Sequence, residues 1–279
     1  DYKTHPDSTA QAFELVPCDL FVTEATFGLP VFTHPPIAGE MAKLTDRLAA
    51  HPDSCVLVGA YALGKAQRVI AELRAAGHTD PIYLHGAMEK MCRLYEEHGV
   101  DLGELRLVSD HTKDDMRGHV VVCPPSALND RWSRRLPDPI TAMASGWMRV
   151  RQRARQRNVE LPLVISDHAD WGELTDTIRE VNPQETWITH GREEALLRWC
   201  QLHQRPARAL ALVGTSFGWF MASTSVALSR RAKPIAFARQ RTRLLNSPKR
   251  PHSRTTSSIP SHAYLPGNAP KCRSAPTPM

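Results

Sequence analysis

Apolar runs alternate with amphipathic stretches along most of the chain. The runs at residues 54–59 and 119–123 predict buried strands, because each is short and rich in valine. Residues 62–76 repeat apolar positions at helical spacing and end at Gly77, which predicts an amphipathic helix. Strands that alternate with helices in this way predict an α/β fold with a mainly parallel sheet.

Two later apolar runs each lead into a histidine. Residues 161–171 contain His168, residues 186–194 contain His190, and residues 172–181 between them have helical spacing. This order of strand, histidine loop, helix, strand and histidine loop predicts that both imidazoles lie at one edge of a parallel sheet. Two imidazoles at such an edge suit metal ligation or proton transfer.

Acidic residues accompany these histidines. Asp167 and Asp170 flank His168, where a carboxylate can orient an imidazole and raise its basicity. Asp170 also suits the N-cap of the helix that begins at Trp171, and the two interpretations are compatible. Glu24 ends an apolar run, and an acid at a strand end is a site candidate in this fold class.

Arginine occupies every second position from Arg149 to Arg157, which is typical of either a phosphate-binding track or a solvated charged segment. Lys65 lies in a near-match to the phosphate-binding loop, but Ala66 replaces the hydroxyl residue that would ligate Mg²⁺. We therefore expect a plain strand-to-helix turn there and no nucleotide triphosphatase. The candidate nucleic-acid contacts are Arg149, Arg151, Arg153 and Lys65.

Charge is divided unevenly along the chain. The formal net charge is +6, yet no Asp or Glu follows Glu194, and residues 215–279 hold eleven Lys or Arg. These residues are also rich in Ser and Pro, a composition typical of disorder. Either a reading-frame shift near Gly214, which we favour, or a basic arm that binds nucleic acid would explain the change.

The cysteines and the remaining histidines show no cluster. The six cysteines are scattered without a C-x-x-C pair, which favours a reducing compartment over a disulfide framework or a cysteine zinc site. The other histidines, such as His34, are predicted to be surface or turn residues. No secretory signal opens the chain and no apolar run is long enough to span a bilayer. A cytoplasmic protein without a membrane partner is expected.

Six short motifs are spread over residues 1–214: Asp1-Tyr-Lys, Thr23-Glu-Ala-Thr-Phe-Gly28, Ala62-Leu-Gly-Lys-Ala-Gln67, Ala144-Ser-Gly-Trp147, Ser166-Asp-His-Ala-Asp170 and Thr189-His-Gly191. They occur in the order seen in β-CASP nucleases, the metallo-β-lactamase-fold enzymes that cut DNA or RNA. The chain most resembles the bacterial ligase-associated DNA exonucleases, often labelled mRNA 3′-end processing factors, over residues 1–214.

The resemblance implies an incomplete metallo-β-lactamase αββα fold with an inserted β-CASP α/β domain. Residues 1–29 would be a metallo-β-lactamase-like segment, 30–150 the β-CASP cap, 151–214 the return to the lactamase-like sheet, and 215–279 a disordered tail. The main zinc motif of the family, H-x-H-x-D-H, does not occur in the sequence. The resemblance therefore predicts the C-terminal part of a nuclease, with weak or absent activity.

The resemblance also implies roles for single residues. Asp1 matches the aspartate that bridges two zinc ions, and His190 matches a further zinc ligand. Glu24 matches the acidic residue of the first β-CASP motif. His168 matches the histidine that helps to protonate the leaving oxygen, with an adjacent acid orienting it. Two zinc ions are the cofactor of the complete family site, and this chain is expected to hold them only in part.

The predicted function is zinc-dependent hydrolysis of nucleic-acid phosphodiesters. By resemblance, the favoured activity is that of a DNA exonuclease that works in DNA repair with a DNA ligase and a helicase. Two alternatives stay open: an RNA 3′-end processing nuclease, and a non-catalytic protein that binds nucleic acid through the cap and the basic tail.

Overall fold

The computed structural model describes residues 1–210 and the backbone of residues 236–237. These residues form two parallel β-sheets with helices packed against them, which confirms the predicted α/β class. The metallo-β-lactamase and β-CASP assignments stay predictions. In chain order the elements are β1 (Leu20–Ala25), α1 (Ile37–Ala50), β2 (Val56–Gly59), α2 (Lys65–Ala75), β3 (Ile82–Leu84), α3 (Gly86–Glu97), β4 (Leu105–Leu107), β5 (Val120–Cys123), β6 (Ile140–Ala144), α4 (Arg151–Gln156), β7 (Leu161–Leu163), α5 (Trp171–Val181), β8 (Glu185–Gly191), α6 (Glu193–Leu202), β9 (Ala207–Ala209) and β10 (Ala236–Phe237).

The larger sheet has six strands in the order β4-β3-β5-β2-β6-β7, and every neighbouring pair is parallel. Val56 and Val58 of β2 belong to one core with residues of α1, α2 and α3, whereas Leu57 belongs to the core on the opposite face. Successive side chains of a strand point to opposite faces, so a sheet covered on both faces requires an unbroken apolar run. This explains why the apolar run at residues 54–59 predicts strand β2.

The smaller sheet has four strands in the order β10-β1-β8-β9. Strands β1 and β8 pair in parallel from Leu20 opposite Glu185 to Glu24 opposite Thr189. Helices α5 and α6 contribute apolar residues such as Ile178 to the core of this sheet. The ends of β1 and β8 are therefore held side by side, and both carry residues of the candidate site.

Strand β7 does not lie where the sequence analysis placed it. It pairs with β6 at the edge of the six-stranded sheet, whereas β8 belongs to the four-stranded sheet. The predicted unit with both histidines at one edge of one sheet is therefore wrong. After β1, the next strand of the smaller sheet is β8, and the predicted domain bounds stay predictions. A three-residue apolar strand carries no local signal for the sheet edge that it joins.

The tail predicted to be disordered falls almost entirely outside the described residues. One part is described: β10 pairs in parallel with β1 through Ala236 and Phe237, so these two residues form a strand instead. Both explanations of the basic tail stay predictions.

Five cysteines in the described part of the chain are free thiols. Within that same part, no helix combines the length and the apolar character that a bilayer crossing needs.

Candidate functional site

Glu24 and His168 form the centre of the candidate site. Glu24 precedes the last residue of β1 and is 2% exposed, and its Oε2 atom is 2.7 Å from Nδ1 of His168. The other carboxylate oxygen, Oε1, accepts a hydrogen bond of 3.0 Å from the backbone N–H of Tyr2. Because a carboxylate only accepts, Nδ1 of His168 carries the proton of this hydrogen bond and Nε2 is left for a ligand.

Asp1 lies beside this pair. Its Oδ1 atom is 3.9 Å from Nδ1 of His168, and its side chain is 56% exposed. Asp1, Glu24 and His168 each offer a ligand atom within 4.8 Å of the others. The structure thus brings together three of the residues that the sequence analysis selected, although they are far apart in the chain.

Burial and hydrogen bonding act in opposite directions on the pKa of Glu24. Burial raises this pKa. The hydrogen bond and the charge of His168, together with hydrogen bonds from Thr26 and Tyr2, lower it by a larger amount, so the net pKa lies below the ordinary value. Glu24 is therefore ionised at neutral pH. Burial also raises the pKa of the Tyr2 phenol to about 12.

The loop that carries His168 is held by charged side chains from two other segments. The carboxylate of Asp167 lies 2.9 Å from Lys65 Nζ, 3.3 Å from Lys3 Nζ and 3.4 Å from Arg68 Nη1. The exposed fractions of the three basic side chains are only 5–6%. Asp167 therefore anchors its loop to α2 and to the first residues of the chain.

This cluster corrects the role expected for Asp167. Burial raises the pKa of its carboxyl group, but Lys65, Lys3 and Arg68 lower it well below its usual range. Burial lowers the pKa of Lys65 to about 8. The acid that orients His168 is Glu24, from the other sheet, because the carboxylate of Asp167 is used by the three cations.

Lys65 is fully engaged within the protein. Its ammonium group donates to the backbone carbonyl of Ile165 at 3.0 Å and pairs with Asp167. The residue begins α2 directly after the turn at Gly64, as expected for a plain strand-to-helix connection. The prediction that Lys65 contacts nucleic acid requires these bonds to open.

His190 lies at a bulge at the end of β8. The β1–β8 register runs from Glu24 opposite Thr189 to Ala25 opposite Gly191, so His190 is the extra residue. Its φ is 60° and its side chain is exposed. The backbone of His190 is thus next to Glu24. Its side chain does not belong to the cluster of Asp1, Glu24 and His168.

The bulge requires glycine after His190. Gly191 has φ 125°, and a Cβ atom there would lie 2.2 Å from the carbonyl oxygen of Ala25. We expect Gly191→Ala to lower the free energy of unfolding by roughly 2–4 kcal/mol, because both the backbone strain and the clash must be relieved. Urea denaturation measures this. Gly39→Ala is the control, since a Cβ atom there meets nothing within 4 Å; equal losses in the two variants would contradict the expectation.

Asp170 caps α5, as one of its two interpretations predicted. Its side chain accepts from the backbone N–H of Glu173 at 2.9 Å, and the side chain of Glu173 accepts from the backbone N–H of Asp170 at 3.0 Å. Asp170 also accepts from the backbone N–H of His34 at 2.8 Å. This capping box fixes the first turn after the His168 loop.

The sequence analysis missed a second group around this cap. His34, Asp170 and Glu173 offer ligand atoms within 4.8 Å, and Nδ1 of His5 is 2.6 Å from Glu173 Oε1. Burial lowers the pKa of His34 despite the two carboxylates. The carboxylates already accept backbone N–H groups, so the arrangement acts as a helix cap. No sequence signal joins His34 to residues so far along the chain.

The arginine-rich segment forms a 3₁₀ turn followed by the short helix α4. Arg149, Arg151 and Arg153 are all exposed. The guanidinium of Arg153 lies 3.8 Å from the ring centroid of Trp147, a cation–π contact. Trp147 in turn packs 4.8 Å from Phe27, whose ring centroid is 6.2 Å from that of His168. Arg153 is thus connected to the candidate site through aromatic side chains.

Comparison with known proteins gives one similarity in sequence. No protein-family model matches the chain. Over 211 residues it is 31% identical to a protein of Opitutus terrae (strain DSM 11246 / JCM 15787 / PB90-1) named "Probable DNA ligase". The match covers 71% of this chain and 20% of that protein. The chain therefore spans about a fifth of the length of this curated relative.

The likeness to one of the matching solved structures is weak. That structure is described as the crystal structure of a protein of unknown function from Enterococcus faecalis V583, with a TM-score of 0.39 and 12% identity. The likeness covers 61% of this chain and 45% of the other. A likeness this weak supports no conclusion about fold or function.

Proposed function

We propose that this chain carries part of the active site of a metal-dependent nuclease that hydrolyses phosphodiester bonds in DNA. The 2.7 Å hydrogen bond between buried Glu24 and partly exposed His168 is the observation that supports the proposal most. A carboxylate that fixes one ring nitrogen of a histidine, with the other nitrogen free, is the usual arrangement of an acid–base residue.

The chemistry assigned to this pair is proton donation. In hydrolysis a water oxygen bonds to phosphorus and releases a proton to solvent, while the bond from phosphorus to the leaving oxygen breaks. When the ring of His168 carries both protons, Nε2–H gives its proton to that leaving oxygen. The ring is then neutral and keeps its Nδ1–H bond to the Glu24 carboxylate, which stays ionised. The buried carboxylate therefore keeps the ring oriented in both protonation states.

The ligand groups of this site are of the kinds that zinc binds. Carboxylate and imidazole are ligands that zinc takes in catalytic sites, and the side chains of Asp1 and His190 are exposed and open to an ion. Glu24 fits less well as a ligand, because both of its oxygens accept hydrogen bonds. A bound zinc ion would supply a more acidic water and a polarised phosphate oxygen.

The choice of DNA as substrate rests on the similarity to the protein named "Probable DNA ligase". RNA 3′-end processing would use the same residues and is the alternative substrate class. A non-catalytic function is the second candidate, because Arg149, Arg151 and Arg153 form an exposed positive surface whatever the state of the site.

Hydrolysis by the pure chain tests the proposal. We expect low activity, because three ligand-bearing side chains of the described residues, Asp1, Glu24 and His168, meet at this site, and two zinc ions need more ligands than these. The protein should therefore be in molar excess over a labelled oligonucleotide. Product should form with added zinc, disappear with chelator, and form faster from DNA than from RNA. Binding without any zinc-dependent product would contradict the nuclease proposal and favour the non-catalytic one.

A further inference from the structure

Two large apolar side chains are exposed in the loop between β2 and α2. Tyr61 is 61% exposed and Leu63 is 63% exposed, and one residue separates them. The flanking residues Ala60 and Ala66 are fully buried. The loop therefore turns its small residues inward and its largest apolar side chains outward, which is the reverse of the usual arrangement.

The loop is held rigidly in this conformation. The buried side chain of Gln67 accepts from the backbone N–H of Gly64 at 2.8 Å and donates to the carbonyl of Ala62 at 3.0 Å. The backbone N–H of Ala66 donates to the carbonyl of Tyr61 at 3.0 Å. Gly64 has φ 81°, a conformation that favours glycine. The exposure of Tyr61 and Leu63 is thus built into the loop.

The loop lies at the edge of the sheet that faces the candidate site. It follows the carboxyl end of β2, where α/β proteins bind ligands. The neighbouring strand β6 pairs with β2 up to Gly59 opposite Met143 and leads to Trp147 and the exposed arginines. On the other side, Lys65 follows Leu63 by two residues and reaches Asp167, the neighbour of His168.

The size of this surface decides what it can bind. A stable protein interface takes roughly 800 Å² and 20–30 residues from each partner, far more than two side chains offer. A tyrosine ring can stack on a base, and a leucine adds apolar contact. The arginines that follow β6, the strand paired with β2, can contact phosphates. We propose that Tyr61 and Leu63 form a stacking surface for a base of single-stranded nucleic acid, a subsite of the function proposed above.

Binding of two oligonucleotides by the full chain tests this subsite. One is a labelled single-stranded DNA, and the other has the same length and charge but is abasic. By fluorescence anisotropy at one fixed salt concentration, Tyr61→Ala should bind the base-containing strand about tenfold more weakly and the abasic strand unchanged. Tyr61→Phe keeps the ring and should bind both strands as the unchanged chain does.

Two further variants separate stacking from charge. Arg151→Ala should weaken binding to both strands equally, since it removes a phosphate contact. Leu202→Ala, at an equally exposed apolar position on α6, should change neither. If the unchanged chain binds DNA and Tyr61→Ala does not weaken it, or weakens both strands equally, the stacking surface is wrong and the nuclease proposal stands. If the unchanged chain binds neither strand, both proposals are contradicted.

Discussion

Replacement of His168 by asparagine is expected to slow phosphodiester hydrolysis by at least about 100-fold, because a positioned acid–base residue contributes roughly that much or more. The side chain is 35% exposed, so the fold should persist. Single-turnover hydrolysis of a labelled oligonucleotide measures the loss. His203→Asn, at an exposed histidine after α6, is the matched control. Equal rates for the two variants would show that His168 takes no part in the reaction.

Replacement of Glu24, the hydrogen-bond partner of His168, separates the orientation of the ring from its role in proton transfer. In Glu24→Gln one carboxylate oxygen becomes an amide N–H₂ group, so a single oxygen must serve both the Tyr2 N–H and His168 Nδ1. We expect a smaller loss, about 10–100-fold, as for other partners that orient a functional histidine. The rate at saturating DNA should fall, whereas the affinity for DNA should be unchanged. A loss confined to DNA affinity would mean that Glu24 has another role.

Replacement of Asp167 by alanine is expected to lower the free energy of unfolding by about 3 kcal/mol. It leaves Lys3 and Arg68 with Asp7 as an acidic partner, and Lys65 keeps its hydrogen bond to the backbone carbonyl of Ile165. All three cations are nearly buried. Removal of one member of a buried charged group costs about 3–5 kcal/mol, and the 37% exposure of Asp167 favours the lower end. Urea denaturation at pH 7 measures the effect.

An exposed ion pair supplies the control for this variant. Asp176 and Arg179 pair at 2.6 Å on α5, with more than half of each side chain exposed. We expect Asp176→Ala to change the free energy of unfolding by less than about 1 kcal/mol, since water screens such a pair. If Asp167→Ala were no more destabilising than Asp176→Ala, the charged cluster would not anchor the His168 loop.

Several elements could be predicted from the sequence because their signals are local. The strand expected at residues 54–59 is present as Val56–Gly59, and the helix expected at 62–76 is present as Lys65–Ala75. Asp170 caps its helix, as its position directly before Trp171 allowed. Side-chain period and capping depend on residues within one or two turns of each other, so a single stretch of sequence contains the whole signal.

The sequence by itself thus determined the α/β class, the positions of β2, α2, β5, α5 and β8, and the residue types of the candidate site. Only the tertiary structure decided that β7 joins the six-stranded sheet, that His168 meets Glu24 from the other sheet, and that Asp167 binds three cations instead of orienting His168. The contacts of His168 and Asp167 join segments about a hundred residues or more apart, such as Glu24 and His168. The pairing of β7 with β6 joins strands about twenty residues apart. No periodicity within one segment records which distant segment will pack against it.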